Sequence, residues 1–140
     1  MKQIITLNNT VQPTAWQKEL AAAVKNPLQL LQLLGISPQR VALSAAARKS
    51  FPMLAPLPFI RKMQKGDIDD PLLKQILPVS DEERVSDGYC CDPLQEHNSV
   101  LPGLLHKYSS RVLLLVKSGC ALNCRYCFRR HFPYQDNNLN

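Results

Sequence analysis

The chain of 140 residues carries 17 Lys and Arg against 11 Asp and Glu, a net charge of +6, with 45% hydrophobic residues, 11 Pro and 5 Cys. That composition excludes a disordered or fibrous chain and suits a small globular unit. The longest apolar run, Val112 to Val116, falls far short of the roughly 18–20 residues of a membrane span. Met1 to Asn9 lacks the apolar core of a secretory signal. A cytoplasmic location and no membrane association are therefore expected. Thiols stay reduced there, so an odd set of five cysteines points to metal or catalytic use rather than disulfides.

Four short helices are predicted before residue 80. Thr14 to Gln17 resembles a capping box, and Trp16, Leu20 and Val24 recur on one face, which predicts a helix with Trp16 in the core. Asn26-Pro27 starts a second helix through Leu34, stopped by Gly35. Ser37-Pro38 starts a third, running towards Lys49. Phe51 to Phe59 is too rich in proline for regular structure before Ile60. Asp70-Pro71 opens a fourth, Leu72 to Leu77, ended by Pro78.

Residues 80–110 read as loop, and Arg111 to Lys117 as a strand buried on both faces, the first of a parallel sheet. The fold class expected is α/β. It divides into a mostly helical region (1–66), an acidic helix and connecting loop (67–110), and the start of an α/β core (111–140). A parallel barrel needs about 200 residues or more, so the chain reads as a truncated, N-terminal portion of a longer enzyme.

Charge is unevenly distributed. Residues 1–66 hold nine basic residues and one acid, 67–100 nine acids and two bases, and 101–140 six bases and one acid. The basic half lacks the interleaved aromatics of a nucleic-acid platform, so it reads as a solvated helical face, and no direct nucleic-acid binding is expected.

The chemistry concentrates at Lys117 to His131. Cys120, Cys124 and Cys127 are spaced C-x3-C-x2-C after the strand and its Gly119 turn. Short spacers let three sulfurs converge on one inorganic cluster. Three thiolates on a cubane leave one iron open to a small molecule. Lys117, Arg125, Arg129 and Arg130 place positive charge around the thiols, which favours an anionic cluster or a carboxylated ligand. A second reading closes the site with His131 as a Cys3His zinc centre of an RNA- or protein-binding module. Cys90 and Cys91 are adjacent and read as buried or incidental thiols. His106 is given a structural role, and Asp92 and Glu96 are read as turn-capping residues.

The spacing, with Tyr126 directly before the third cysteine, resembles the radical S-adenosylmethionine signature. Five segments narrow the likeness: Asp70 to Pro78, Asp92 to Glu96, Leu101 to Tyr108, Ser110 to Val116 and Cys124 to Arg130 are similar to the lysine 2,3-aminomutase family. Residues 1–60 resemble its bacterial branch acting in β-lysylation of elongation factor P.

The resemblance implies a fold, a reaction and its cofactors. The fold is a partial (β/α) barrel following the helical region. Cys120, Cys124 and Cys127 hold a [4Fe-4S] cluster whose open iron binds S-adenosylmethionine. The enzyme is an isomerase that moves the amino group of L-lysine from C2 to C3 with pyridoxal 5′-phosphate. Arg129 matches the arginine that binds the lysine carboxylate, and Tyr126 sits near the cofactor. The implied partners are lysine, elongation factor P and its lysyl-transferring enzyme. The lysine that carries pyridoxal phosphate and the acids that read the ε-amino group fall beyond Asn140, so no catalytic residue is assignable and these residues alone are expected to be inactive.

Anaerobic purification separates the metal readings. The iron reading expects a brown chromophore with iron and sulfide in the protein. A colourless product holding stoichiometric zinc would instead establish the Cys3His centre.

Overall fold

The computed structural model describes residues 14–90, 101, 103–115, 119–127 and 130–131. Five short helices and two 3-10 turns come first: α1 (Ala15–Ala21), α2 (Pro27–Leu34), a turn at Pro38–Arg40, α3 (Ala45–Ser50), α4 (Leu57–Ile60), α5 (Pro71–Ile76) and a turn at Ser80–Glu83. A hairpin of β1 (Leu104–Tyr108) and β2 (Arg111–Leu114) follows. The protein thus combines helices with a two-stranded sheet. No helix among the described residues is long and apolar enough to cross a membrane.

Local signals start the helices. The Asn26 side chain accepts from the Leu28 amide at 3.0 Å, Pro27 occupies the first turn of α2, and Gly35 ends it at φ 68°. That left-handed conformation favours glycine, so the turn needs Gly there. Asp70 caps α5 twice, accepting from the amides of Leu72 (2.8 Å) and Leu73 (2.9 Å). Its other oxygen takes the Gln64 amide at 2.9 Å. That Gln64 bond, aided by the two cap bonds, outweighs burial and holds the Asp70 carboxyl below its usual range.

The core lies between α2, α5 and the segment from Met53 to Met63, with Leu30, Leu31, Leu34, Met53, Leu73 and Ile76 fully enclosed. Two isolated antiparallel bridges tie its edges, Val24 to Ala55 and Leu43 to Val79.

Several expectations are corrected. The third helix is not continuous: after Pro38–Arg40 the chain extends through Val41 and Leu43, and Ser44 caps a separate α3 by accepting from the Ala47 amide at 2.9 Å. The bridge to Val79 supplies the competing extended pairing. The proline-rich stretch contains a helical turn, α4, because Pro58 falls within the first turn, where its missing N–H costs nothing. Trp16 is 64% exposed and α1 buries none of its residues, so Trp16 is not part of the core expected of it.

The strand at Arg111 exists, but it pairs antiparallel with β1, in a region read as loop, and all four of its residues are exposed. The register pairs Leu104 with Leu114 and Leu105 with Leu113. Arg111 stacks on the Tyr108 ring at 4.3 Å. Val116 and Lys117 lie outside the described residues.

Core position and helical periodicity therefore predict opposite costs for two apolar residues. Leu31→Ala is expected to lose about 2–5 kcal/mol in urea unfolding. Trp16→Ala is expected to change stability by no more than about 0.5 kcal/mol, as an exposed substitution does.

Candidate metal centre

The three thiols sit on a loop without regular structure, which leaves its backbone groups to find partners elsewhere. They find them in the helical region. Leu122 packs against the core. The Asn123 amide donates to the Leu54 carbonyl (3.2 Å) and its side chain donates to the Pro52 carbonyl (2.9 Å). The Arg125 amide donates to the Gln75 carbonyl at the end of α5, at 2.7 Å. Two successive turns then close, Cys127 N to Cys124 O and Arg130 N to Cys127 O, each 3.0 Å.

Arg125 is the deepest member, at 8% exposure. Its Nε and Nη2 form a fork onto Glu82, at 2.9 Å to Oε1 and 2.6 Å to Oε2. Nη2 also donates to the Ala47 carbonyl at 2.9 Å, and Nη1 to the Phe51 carbonyl. The guanidinium lies 5.4 Å from the Phe51 ring centre. Arg130 adds a second contact to Glu82 Oε2, at 2.6 Å.

Burial pushes the Glu82 carboxyl up, but hydrogen bonding from Arg125, the Val79 amide and the two positive charges outweigh it, so the net shift is downward. Of the four positive side chains expected around the thiols, Arg125 and Arg130 both pair with Glu82. Lys117 and Arg129, the latter with its expected substrate role, lie outside the described residues.

Cys120 is exposed and lines a cavity of about 660 Å³ together with Trp16, Leu20, Phe59 and Lys62. Cys124 and Cys127 are half-buried. The Cys124 sulfur accepts from the Gln75 amide group at 2.9 Å. Tyr126 is 78% exposed. Negative charge at Cys124, with the hydrogen bond between that sulfur and the Tyr126 hydroxyl and a smaller effect of Cys127, raises the phenol above its usual value.

Among the described residues no three His, Cys, Asp or Glu side chains gather into a group able to hold a metal ion. The thiols share one fastened loop without converging. Their donor type still fits an iron–sulfur cluster, since soft sulfur ligands select such centres. Cys90 is exposed rather than buried, while Cys91, Asp92, Glu96 and His97 lie outside the described residues. His106 is exposed on β1.

Sequence reasoning missed Glu82 and Gln75. Glu82 is one acid within Ser80 to Glu83, 43 residues from Arg125, and nothing local distinguishes it from Asp81 or Glu83.

The architecture is that of a three-cysteine loop seated on a helical platform. No family model matches the chain. It is 51% identical, across its whole length, to L-lysine 2,3-aminomutase of Escherichia coli (strain K12). It is 47% identical over 87% of its length to the protein of that name in Haemophilus influenzae, and 30% identical over 86% to that of Clostridium subterminale. The chain spans 41%, 36% and 29% of those relatives. By sequence it belongs to the L-lysine 2,3-aminomutase family.

The ion pair sets a pH dependence. With its folded-state value lowered, Glu82 contributes stability that is complete above its unfolded value near 4.5 and is lost as pH falls through the folded value. Urea midpoints are expected to decline below pH 4.5, and Glu82→Gln should remove part of that slope. Asp70 and the exposed Asp69, both also lowered, keep a share of it.

Proposed function

We propose that this chain is part of a cytoplasmic, radical S-adenosylmethionine and pyridoxal 5′-phosphate-dependent lysine 2,3-aminomutase. Its product, β-lysine, serves the modification of elongation factor P by a lysyl-transferring enzyme. The observation that carries the reading is the C-x3-C-x2-C loop at Cys120, Cys124 and Cys127, within a chain half identical to proteins named for that activity.

The roles follow residue by residue. Cys120, Cys124 and Cys127 hold the [4Fe-4S] cluster, Arg129 binds the lysine carboxylate, and Tyr126 stands beside the cofactor. When bound, the cluster supplies an electron for cleaving S-adenosylmethionine, and pyridoxal phosphate supplies the handle on the migrating amino group. The contribution of the chain is positional. It presents exposed Cys120 and half-buried Cys124 and Cys127 on a loop whose neighbouring residues are fastened to the helices. The exposed ring of Tyr126 leaves that side of the loop open to a small molecule. Residues 111–140 form the opening of the partial barrel, joined through the acidic segment 67–110 to the helical region 1–66.

The experiment is anaerobic reconstitution of the whole protein with iron and sulfide, followed by assay of 5′-deoxyadenosine and β-lysine with and without lysine. Lysine-dependent turnover is expected, lost when Cys120, Cys124 or Cys127 is replaced by Ala. Turnover retained in any of the three variants would overturn the assignment.

A further inference from the structure

The thiol loop is held by a carboxylate to which the motif gives no role. Glu82 lies in the Ser80–Glu83 turn with its side chain 10% exposed. Both oxygens are used: Oε1 takes Arg125 Nε (2.9 Å) and the Val79 amide (3.1 Å), and Oε2 takes Arg125 Nη2 and Arg130 Nη1, each at 2.6 Å. The two guanidiniums come from positions that flank Cys127, and the first directly follows Cys124. One side chain of the helical region therefore grips the loop on both sides of a thiol.

We infer that Glu82 is the positioning residue of the cysteine loop, ordering Cys124 and Cys127 for metal uptake. The inference rests on the reading of those cysteines as cluster ligands. Three observations support ordering over simple cohesion. Two arginines converge on one carboxylate, a charge excess that a purely cohesive pair does not need. Among the described residues Arg130 Nε is buried without a partner, so its placement at Glu82 carries a cost. The same clamp leaves the Cys124 sulfur within 2.9 Å of the Gln75 amide group, a contact that fixes the orientation of a ligand atom.

The test compares wild-type protein with Glu82→Gln, which keeps the shape but removes the charge, with Glu82→Asp, and with Leu30→Ala as a core control on α2. Two quantities are read in the whole protein. The first is amide hydrogen exchange at Arg125, Cys127 and Arg130 in the metal-free form. The second is anaerobic iron–sulfide uptake, followed by visible absorbance and the paramagnetic resonance spectrum of the reduced cluster.

Glu82→Gln is expected to lose protection at those amides, to weaken iron retention by about 10- to 100-fold, and to give a broadened, heterogeneous resonance. Glu82→Asp should recover part of the uptake. Leu30→Ala should lower the melting temperature yet load normally with a wild-type spectrum. Wild-type uptake and spectrum in Glu82→Gln would overturn the inference, as would equal losses in Leu30→Ala. Failure of the wild-type protein itself to bind iron, with the exchange difference intact, would instead defeat the ligand reading and the inference with it.

Discussion

A single buried carboxylate between two guanidiniums joins the halves of this protein. Arg125 brings its charge to a nearly enclosed position, and taking a guanidinium and a carboxylate out of water is costly unless every donor is used. Here Nε, Nη1 and Nη2 all find acceptors, and two of those are carbonyls of Ala47 and Phe51 at the C-terminal end of α3. Helix C-termini expose such carbonyls and carry partial negative charge. Arg125 therefore neutralises Glu82 and caps α3 with one planar group, and the Phe51 ring covers its face. Removing one partner of such a pair costs about 3–5 kcal/mol, because the other charge is left buried alone.

That arrangement changes the electrostatic picture of the thiols. Glu82 offsets one of the two guanidinium charges that meet it and leaves a single net positive charge beside the loop. The Cys124 sulfur also meets two neutral donors, the Gln75 amide group and the Tyr126 hydroxyl. Neutral hydrogen bonds to a sulfur ligand tune it without adding net charge, one of the levers a protein has over a cluster.

What could be read from the sequence follows the range of each interaction. The caps at Asn26 and Asp70 act over two or three residues, and the structure forms them as the dipeptides Asn26-Pro27 and Asp70-Pro71 suggest. The three-cysteine spacing is equally local, as is its likeness to a family. Trp16 is exposed although its spacing suits a core, because periodicity identifies an apolar face without saying how deeply it is buried. The split before α3 depends on Leu43 bridging Val79, and the β1–β2 pairing on a bulge between Leu105 and Tyr108, neither of which a propensity argument contains. Glu82 and Arg125 stand 43 residues apart, so their pairing was invisible although each is unremarkable as a surface charge.

The order of residues along the loop explains how thiols can be both accessible and positioned. Fixing one residue's backbone costs about 1–2 kcal/mol, so a loop without secondary structure needs an anchor every few residues. Leu122 meets the core, Asn123 holds Pro52 and Leu54, Arg125 holds Glu82, and Arg130 returns to the same carboxylate. Cys124 falls between the second and third anchors, and Cys127 between the third and fourth. Each thiol is thus bracketed by residues turned into the helical platform, while Cys120, ahead of the first anchor, remains exposed beside its cavity. A helix would give regular backbone bonding but would fix sulfurs at 120, 124 and 127 on its own pitch. An anchored irregular loop supplies the order and leaves the sulfurs room to turn towards a common centre.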